Sequence, residues 1–355
     1  MADGKLYLRP IGFLYGQPAD AAVEDGLALP LAGGPIAFTA AVLIEGDASN
    51  SRRRLTTAAT LKDVHDTDLS AVLARVTSPR APFAGLELAR PALMGIVNVT
   101  PDSFSDGGLY DTTEGAITQA AGLATEGAAL VDIGGESTRP GSETVEHDEE
   151  LARVVPVLEG LAGSPAVISI DTRKASVANA AAKAGAKILN DVSAFSYDPE
   201  CMAVAVEAGL DVVLMHAQGE PKTMQDDPAY EDVALEVFDY LEARIEVCIA
   251  AGIARSRIAA DPGLGFGKTL AHNLTLLANI SLFHGLGVPL LVGASRKRFI
   301  RGLSQARDPR SREPGSHAAA IASVAQGAQI LRVHDVAGAR QALDVWRASM
   351  FGTEK

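Results

Sequence analysis

The amino-acid sequence predicts a (β/α)8 barrel, the TIM barrel of the α/β class, preceded by a small α/β extension at the N-terminus. From residue 93 onward, short apolar strands alternate with helical stretches eight times over about 260 residues, a typical length for such a barrel. Nearly every predicted strand ends in a polar residue, as barrel strands do where they face a site. A doubly wound sheet is the alternative, but the sequence carries no dinucleotide-binding fingerprint.

The predicted barrel elements follow one another at regular intervals. The strands are expected at residues 93–98, 130–134, 167–171, 187–191, 211–216, 257–261, 289–293 and 329–334. Helices between them are expected at residues 114–126, 148–161, 174–184, 231–251 and 315–326. Glycines such as Gly127, Gly185 and Gly209 follow helical stretches, where glycine supplies the left-handed residue that ends a helix.

The first 85 residues differ from the remainder. We interpret residues 1–85 as an accessory α/β segment and residues 86–355 as the catalytic barrel domain. In this segment, strands are predicted at residues 6–14 and 36–44, with a turn at 33–35 between them. A helix is predicted at 60–76 and a linker at 78–82. The basic run Arg52-Arg53-Arg54 is interpreted as a solvated loop. The segment contains no catalytic pattern, so the sequence leaves its role open.

Composition excludes several classes of protein. Hydrophobic residues make up 47% of the chain and aromatic residues only 5%, which predicts a large aliphatic core. The net charge of −13 argues against nucleic-acid binding. Two cysteines in predicted helices, Cys201 and Cys248, do not suggest a disulfide framework or a zinc site. The start of the sequence lacks the pattern of a signal peptide, and no apolar run reaches the roughly 18–20 residues of a membrane span. We therefore expect a soluble cytoplasmic protein.

Polar residues at the strand ends predict a functional site. They are Asn98, Asp132, Glu136, Asp171, Asn190, Asp191, His216, Asp261, Ser295, Lys297, Arg332 and His334. One such residue is readily explained as a helix cap, and Asp171 and Asp261 each fit that interpretation. A whole ring is harder to explain, because each buried polar group without a partner costs roughly 1–3 kcal/mol.

The chemistry of these side chains points to three kinds of ligand. Acceptors and an amide suited to the N–H groups of a flat heterocycle come from Asp171, Asn190 and Asp261. Cationic donors suited to phosphate or carboxylate come from Lys297, Arg332, His334 and Arg139. Oxygen ligands suited to a magnesium ion on a diphosphate come from Asn98, Asp102 and Asp106. The absence of a Ser-His-Asp or Cys-His arrangement favours direct displacement on an activated substrate.

Two features resemble other sites. The segment from Gly263 to Thr269 is similar to a phosphate-binding P-loop, but Pro262 stands where that motif requires glycine, so a Gly-rich active-site loop is predicted. The histidines have no metal-ligand spacing. Most are interpreted as surface or packing residues: His65, His147, His272, His284 and His317. The role of His216 is left open between a site residue and a turn cap.

Eight motifs in order, from about residue 90 to 350, resemble those of dihydropteroate synthase. The longest are Met94-Gly-Ile-Val-Asn-Val-Thr-Pro-Asp-Ser-Phe-Ser-Asp-Gly-Gly108 and Asp132-Ile-Gly-Gly-Glu-Ser-Thr-Arg-Pro-Gly-Ser142. The others are Ser169-Ile-Asp-Thr172, Asn190-Asp191, Leu214-Met-His-Ala-Gln-Gly219, Asp261-Pro-Gly-Leu-Gly-Phe-Gly-Lys268, Gly293-Ala-Ser-Arg-Lys297 and Arg332-Val-His-Asp335. The first 85 residues fall outside the resemblance.

The resemblance implies a transferase that joins p-aminobenzoate to 6-hydroxymethyl-7,8-dihydropterin diphosphate, giving 7,8-dihydropteroate and diphosphate for folate synthesis. The bond to diphosphate would break ahead of amine attack, leaving a cation delocalised into the pterin. Such chemistry needs positioning and charge stabilisation and no protein nucleophile. The resemblance further implies a magnesium ion, inhibition by sulfonamides that compete with p-aminobenzoate, and a homodimer.

The resemblance also assigns roles to individual residues. Magnesium would be bound by Asn98, and the diphosphate by Asn98, Arg332 and His334. The pterin would be held by Asp171, Asn190, Met215, Asp261, Lys297 and Arg332. The p-aminobenzoate pocket would comprise Thr138, Arg139, Pro140, Phe266, Ser295 and Phe104. The catalytic residues would be Asp102, Lys297, Arg332 and His334.

The sequence departs from the family pattern at two apolar positions and leaves alternatives. Ala217 stands where the family usually has Met, and Leu264 where it often has Phe, which puts the pocket shape near the pterin in doubt. One alternative is a pterin-dependent methyltransferase that serves a corrinoid protein. Such an enzyme would not need the loops Thr100–Gly108 and Ser137–Gly141 or the anion site of Arg332 and His334. A non-catalytic pterin-binding protein is another alternative. An acceptor other than p-aminobenzoate is also compatible with these residues.

Overall fold

The computed structural model describes residues 5–63, 65–100, 113–137, 142–219 and 222–352. Eight parallel strands form a nearly closed barrel, as predicted. These strands are β5 (Ala92–Asn98), β6 (Leu130–Gly134), β7 (Val167–Asp171), β8 (Ile188–Asp191), β9 (Asp211–Met215), β10 (Ile258–Asp261), β11 (Leu291–Val292) and β12 (Ile330–Val333). Each pairs with the next from β5 to β10, β12 pairs with both β5 and β11, and a parallel bridge from Ala260 to Leu290 brings the edges together.

Helices cover the outside of the barrel. They are α4 (Thr113–Thr125), α5 (His147–Gly160), α6 (Ala175–Lys183), α7 (Glu200–Glu207), α8 (Val233–Ala250), α9 (Leu270–Ala278), α10 (Arg298–Ser304), α11 (Glu313–Val324) and α12 (Val336–Phe351). In the described ranges, 3-10 turns lie among them at Arg255–Arg257, Ile280–Leu286 and Arg310–Arg312. No helix in the described ranges is long and apolar enough to cross a membrane.

The N-terminal part is a small antiparallel sheet with helices. Its strands are β1 (Leu6–Tyr15), β2 (Leu29–Pro30), β3 (Ile36–Gly46) and β4 (Ser51–Thr57), and its helices are α1 (Gln17–Glu24), α2 (Ala58–Lys62) and α3 (Thr67–Thr77). Strand β3 lies at its centre and pairs with the other three strands. The domain division at residue 85 stays a prediction.

Two expectations for this segment were wrong. The single helix expected over 60–76 is two helices, because the carboxylate of Asp66 accepts from the backbone N–H of Leu69 and so begins α3 as a new helix. The run Arg52-Arg53-Arg54 lies in strand β4 and not in a loop. Among the described strands it pairs only with β3. It exposes all three arginines, so it lacks the alternation of apolar and polar residues by which a strand is recognised.

The amino-terminal end of the barrel is closed by apolar side chains. Phe83 is fully buried there and packs with residues near the starts of the strands, namely Met94, Leu130, Ile188, Val213, Ala259, Leu291 and Ile330. The carboxylate of Asp211 accepts from the backbone N–H of Ala84 at 2.5 Å, which fixes this plug. Ligands therefore have access to the interior from the carboxyl-terminal end, where the polar strand ends lie.

Candidate active site

Asp132 is the centre of a buried hydrogen-bond network at the carboxyl end of the barrel. Its side chain on β6 is fully buried, and Oδ1 accepts from the hydroxyl of Ser169 on β7 at 2.6 Å. Oδ2 accepts from Asn190 Nδ2 on β8 at 2.9 Å and from Arg332 Nε on β12 at 2.6 Å. One carboxylate thus fixes the side chains of three other strands. The sequence identified Asp132 as a polar strand end but gave it no role.

Asp171 has one oxygen in an ion pair and the other without a partner. Its Oδ2 accepts from Arg332 at 2.7 Å. The second oxygen, Oδ1, is buried and has no hydrogen-bond partner among the described residues. Burial raises the pKa of this carboxyl, while the guanidinium of Arg332 opposes the rise. A buried acceptor without a partner at a strand end is suited to a ligand that brings an N–H group.

Asp261 closes the turn that begins the Gly-rich loop. Its Oδ1 accepts from the backbone N–H of Gly263 at 2.7 Å, and burial raises its pKa, opposed by this hydrogen bond and by Lys297. Gly263 has a φ of +68°, and a Cβ there would lie 1.9 Å from the carbonyl oxygen of His216. This position therefore requires glycine, and the loop lies against the end of β9.

The same loop places the ring of Phe266 against the side chain of Lys297. The ammonium of Lys297 lies 3.9 Å from the centre of the Phe266 ring, a cation–π contact. These two residues had been predicted to serve different substrates, and the fold brings them into direct contact. Met215 ends β9 and is buried below the loop, where a Cβ on Gly263 would lie 3.1 Å from its side chain.

Ser295 and His334 are joined at the ends of neighbouring strands. The Ser295 hydroxyl lies 2.9 Å from His334 Nδ1 and accepts from the backbone N–H of His334 at 3.2 Å. Asn98 ends β5 and pairs in register with Gly134, at the same end of the barrel. Each of these residues is thus at the rim that the sequence predicted.

Several predicted residues lie outside the described part of the chain. They are Asp102, Phe104, Asp106, Thr138, Arg139 and Pro140.

The carboxylate of Asp191 binds its own loop. It accepts from the backbone and hydroxyl of Ser193 and from the backbone of Phe195, at 2.6–3.1 Å. These bonds assign Asp191 to the turn after β8.

Sequence reasoning missed Lys268. Its ammonium is buried and lies 2.9 Å from His216 Nδ1, 2.9 Å from the Phe266 carbonyl and 3.3 Å from the His216 carbonyl. Burial lowers the pKa of Lys268 to about 7 and that of His216 to about 2, so the imidazole is neutral and accepts from the lysine. The loop that carries Phe266 is thereby fastened to the end of β9, which gives His216 a structural role.

A buried ion network after β6 and β7 was also missed. Lys174 is fully buried and pairs with Glu136 at 2.5 Å and with Glu150, while Arg173 pairs with Glu136 at 2.7 Å. Thr172 donates to Glu150 at 2.7 Å. The sequence signal was the run from Asp171 to Lys174, in which two cations follow a strand end directly. This network fixes the segments that follow Gly134 and Asp171.

Comparisons with known proteins agree with the motif resemblance. The model of the family described as pterin binding enzyme matches residues 94–334. The dihydropteroate synthase of Escherichia coli (strain K12) is 47% identical over 270 residues, covering 76% of this chain and 95% of the relative.

Solved structures of dihydropteroate synthases share the fold. The enzyme of Xanthomonas albilineans with 4-aminobenzoic acid superposes with a TM-score of 0.72 at 48% identity, covering 77% of this chain and 98% of that one. The enzyme of Yersinia pestis in a sulfonamide drug complex gives a TM-score of 0.71 at 47% identity, covering 74% and 96%. These relatives favour the synthase over the pterin-dependent methyltransferase. The chain therefore belongs to the dihydropteroate synthases, within the family of pterin-binding enzymes.

Proposed function

We propose that this dihydropteroate synthase transfers the pterin-methyl group of 6-hydroxymethyl-7,8-dihydropterin diphosphate to p-aminobenzoate, releasing diphosphate in folate biosynthesis. The observation that carries the proposal is that Arg332 joins two sets of side chains. The acceptor set is Asp171, Asn190 and Asp261, and the cationic set is Lys297, Arg332, His334 and Arg139. The guanidinium of Arg332 is hydrogen-bonded to Asp132 and Asp171 and belongs to the cationic set at the same rim. A heterocycle and an anionic leaving group would therefore bind side by side.

The pterin would bind to the acceptor set. Asp171 offers its buried Oδ1, and Asn190 and Asp261 offer further polar groups at the ends of β8 and β10. Lys297 would hold the pterin edge, Met215 would pack beside the ring and Arg332 would lie on its face. Because Asp132 holds both Asn190 and Arg332, these groups are oriented before the substrate arrives.

The diphosphate would bind to Asn98, Arg332 and His334. The His334 ring is held at Nδ1 by Ser295, which orients it. The p-aminobenzoate would bind beside Phe266 and Ser295, in a pocket that also comprises Thr138, Arg139, Pro140 and Phe104. Asp102 would act from the loop Thr100–Gly108. We expect sulfonamides to compete for this pocket, as the sulfonamide complex of the Yersinia pestis relative suggests.

The reaction follows from these placements. The methylene C–O bond breaks and diphosphate leaves with the electron pair, stabilised by Arg332 and His334. The lone pair of the p-aminobenzoate amine then forms the C–N bond, and the amine loses one proton. Positioning and charge stabilisation are sufficient for these steps, in agreement with the acceptor and cationic sets at the rim.

Asn98 fits a magnesium ion held mainly by the substrate. It presents a neutral amide group at the end of β5, and Mg²⁺ commonly binds one or two protein oxygens together with phosphate oxygens and water. When bound, the ion would neutralise charge on the leaving diphosphate. We further propose that the enzyme is cytoplasmic and that, as the resemblance implies, it acts as a homodimer.

The proposal is tested with the purified full-length chain and both substrates. Dihydropteroate should form with Mg²⁺ present, and its formation should fall strongly when the ion is removed with a chelator and return when Mg²⁺ is added back. Absence of product with Mg²⁺ and both substrates would overturn the proposed reaction. Product formation that the chelator does not affect would overturn the magnesium assignment alone.

A further inference from the structure

We propose that Glu313, His317 and Asp335 form a binding site for a divalent transition ion of the Zn²⁺ type. Glu313 and His317 lie one turn apart on α11, and Asp335 is the residue that caps α12. One ligand atom from each of the three lies within 4.8 Å of the other two. This cluster is separate from the groups assigned to the pterin and the diphosphate.

The hydrogen bonds around the cluster leave one ligand atom on each side chain. Arg296 donates to Glu313 Oε1, and the backbone N–H of Gly338 donates to Asp335 Oδ1 at 2.9 Å. The other oxygen of Glu313, Oε2, and His317 Nε2 are both buried, and neither has a hydrogen-bond partner in the described part of the chain. Because a buried polar atom without a hydrogen bond is unfavourable, these two atoms favour a bound cation between them.

The spacing of the imidazole and the carboxylate suits a shared ion. His317 Nε2 lies 3.2 Å from Asp335 Oδ2 but does not meet the geometry of a hydrogen bond. Two ligands about 2.0 Å from a tetrahedral ion are themselves roughly 3.3 Å apart. A cation between these two atoms would need little movement of either, and Glu313 would approach as the third ligand.

The ligand types select the class of ion. A set of one imidazole nitrogen and two carboxylate oxygens is found at zinc and related sites, whereas Mg²⁺ and Ca²⁺ prefer oxygen ligands throughout. The side chains of His317 and Asp335 are 22% and 34% exposed, so an ion has a route from solvent and water can complete its coordination.

The position of the site indicates a structural effect. Asp335 follows His334 directly and begins α12, while Arg296 stands between Ser295 and Lys297. An ion bound here would tie α11 to the start of α12, beside the rim. We therefore expect it to stabilise the fold.

The site is tested by Zn²⁺ binding to the full-length chain after dialysis against a chelator. A chromogenic chelator in competition measures the affinity, and the melting temperature is recorded with Zn²⁺ and with Mg²⁺. We expect the wild-type chain to bind one Zn²⁺ at this site and to melt at a higher temperature with Zn²⁺ than with Mg²⁺. The variant Glu313→Gln/His317→Gln should bind this Zn²⁺ at least ten-fold more weakly and lose the rise in melting temperature.

A matched control is Glu143→Gln/His147→Gln, an exposed pair with the same spacing in sequence. It should retain the wild-type affinity. Glutamine at residue 313 keeps an acceptor for Arg296, and His317→Gln alone serves if the double variant does not fold. Equal Zn²⁺ binding by wild type and the site variants would overturn the proposal, as would a wild-type chain that binds no Zn²⁺. In the second case, His317 and Asp335 form an ordinary ion pair.

Discussion

Arg332 Nε lies 2.6 Å from Asp132 Oδ2, and this partly buried ion pair joins β12 to β6 past the end of the intervening strand β5. The same oxygen of Asp132 accepts from Asn190, 2.9 Å away. One carboxylate therefore orients a cation proposed for the diphosphate and an amide proposed for the pterin. Asp132 acts as a positioning residue, since both of its oxygens are occupied by protein donors.

The substitution Asp132→Asn should lower kcat/KM for the pterin diphosphate by roughly 10- to 100-fold, the range for one lost hydrogen bond to a charged group. The amide keeps the size of the carboxylate but loses its charge and one acceptor, so Arg332 or Asn190 loses its orientation. Steady-state kinetics measures the loss, and circular dichroism checks that the barrel is folded. Ser169→Ala is the control, because it removes only the partner of Oδ1 and should reduce kcat/KM much less. Equal effects of the two substitutions would contradict the role of Asp132 Oδ2.

Lys268 should make stability depend on pH above neutrality. Burial lowers its pKa in the folded chain from 10.5 to about 7, so the unfolded chain holds a proton that the folded chain lacks between these values. Stability from this residue therefore increases as the pH rises from 7 toward 10, by at most about 1.4 kcal/mol per pH unit. Below pH 7 both states are protonated and this dependence vanishes.

Urea unfolding of wild type and Lys268→Met at pH 7, 8 and 9 measures this effect. The free energy of unfolding of the wild type should rise relative to that of the variant across the series. The other titrating groups are common to both chains, so their contribution cancels in the difference. A constant difference between the two chains over this range would show that Lys268 titrates normally.

Tyr7 should contribute to the stability of the barrel although it lies in the N-terminal segment. It is 1% exposed, its ring packs edge-on against Phe238 of α8 at 5.3 Å, and its hydroxyl donates to Asp239 at 2.9 Å. Tyr7→Ala should lower the free energy of unfolding by about 3–5 kcal/mol, as for other buried aromatic residues. Turnover per folded molecule should be unchanged.

The control for Tyr7 is Leu55→Ala in β4, whose side chain is 67% exposed. This substitution should change stability by less than about 0.5 kcal/mol. Unfolding in two separate transitions, with the barrel transition unaffected by Tyr7→Ala, would contradict a shared core. In that case the segment from β1 to α3 would fold independently of the barrel.

The sequence predicted the barrel well because each strand is a short apolar run that stops at a polar residue. The bounds of β6 and β7 agree with the structure, and β5 differs by one residue. The prediction of helices and strands failed where one side-chain hydrogen bond sets the start of a helix, and where a strand has no apolar pattern. The capping bond of Asp66 divides a continuous helical pattern, and the exposed edge strand β4 has no periodicity.

The positions of the polar residues at the strand ends were predictable from the sequence, but the contacts between their side chains were not. Position in the sequence indicated that Asp132 and Arg332 would face the same rim, yet their pairing depends on side-chain direction across the barrel. Lys268 was missed because the segment that contains it was interpreted only as a Gly-rich loop. Glu150 was missed because it lies on helix α5 and not at a strand end. Both are buried charges whose partners come from other loops, and only the fold brings those partners within reach.

The division of the rim into a pterin part and a diphosphate part is tested most directly by one crossed binding measurement. Calorimetry would measure the affinities of a plain pterin and of inorganic diphosphate for wild type, Lys297→Ala and Asn98→Ala, each with Mg²⁺. We predict that Lys297→Ala weakens the pterin at least ten-fold with little effect on diphosphate, and that Asn98→Ala does the reverse. Equal losses of both ligands in both variants, or wild-type affinities throughout, would contradict the account.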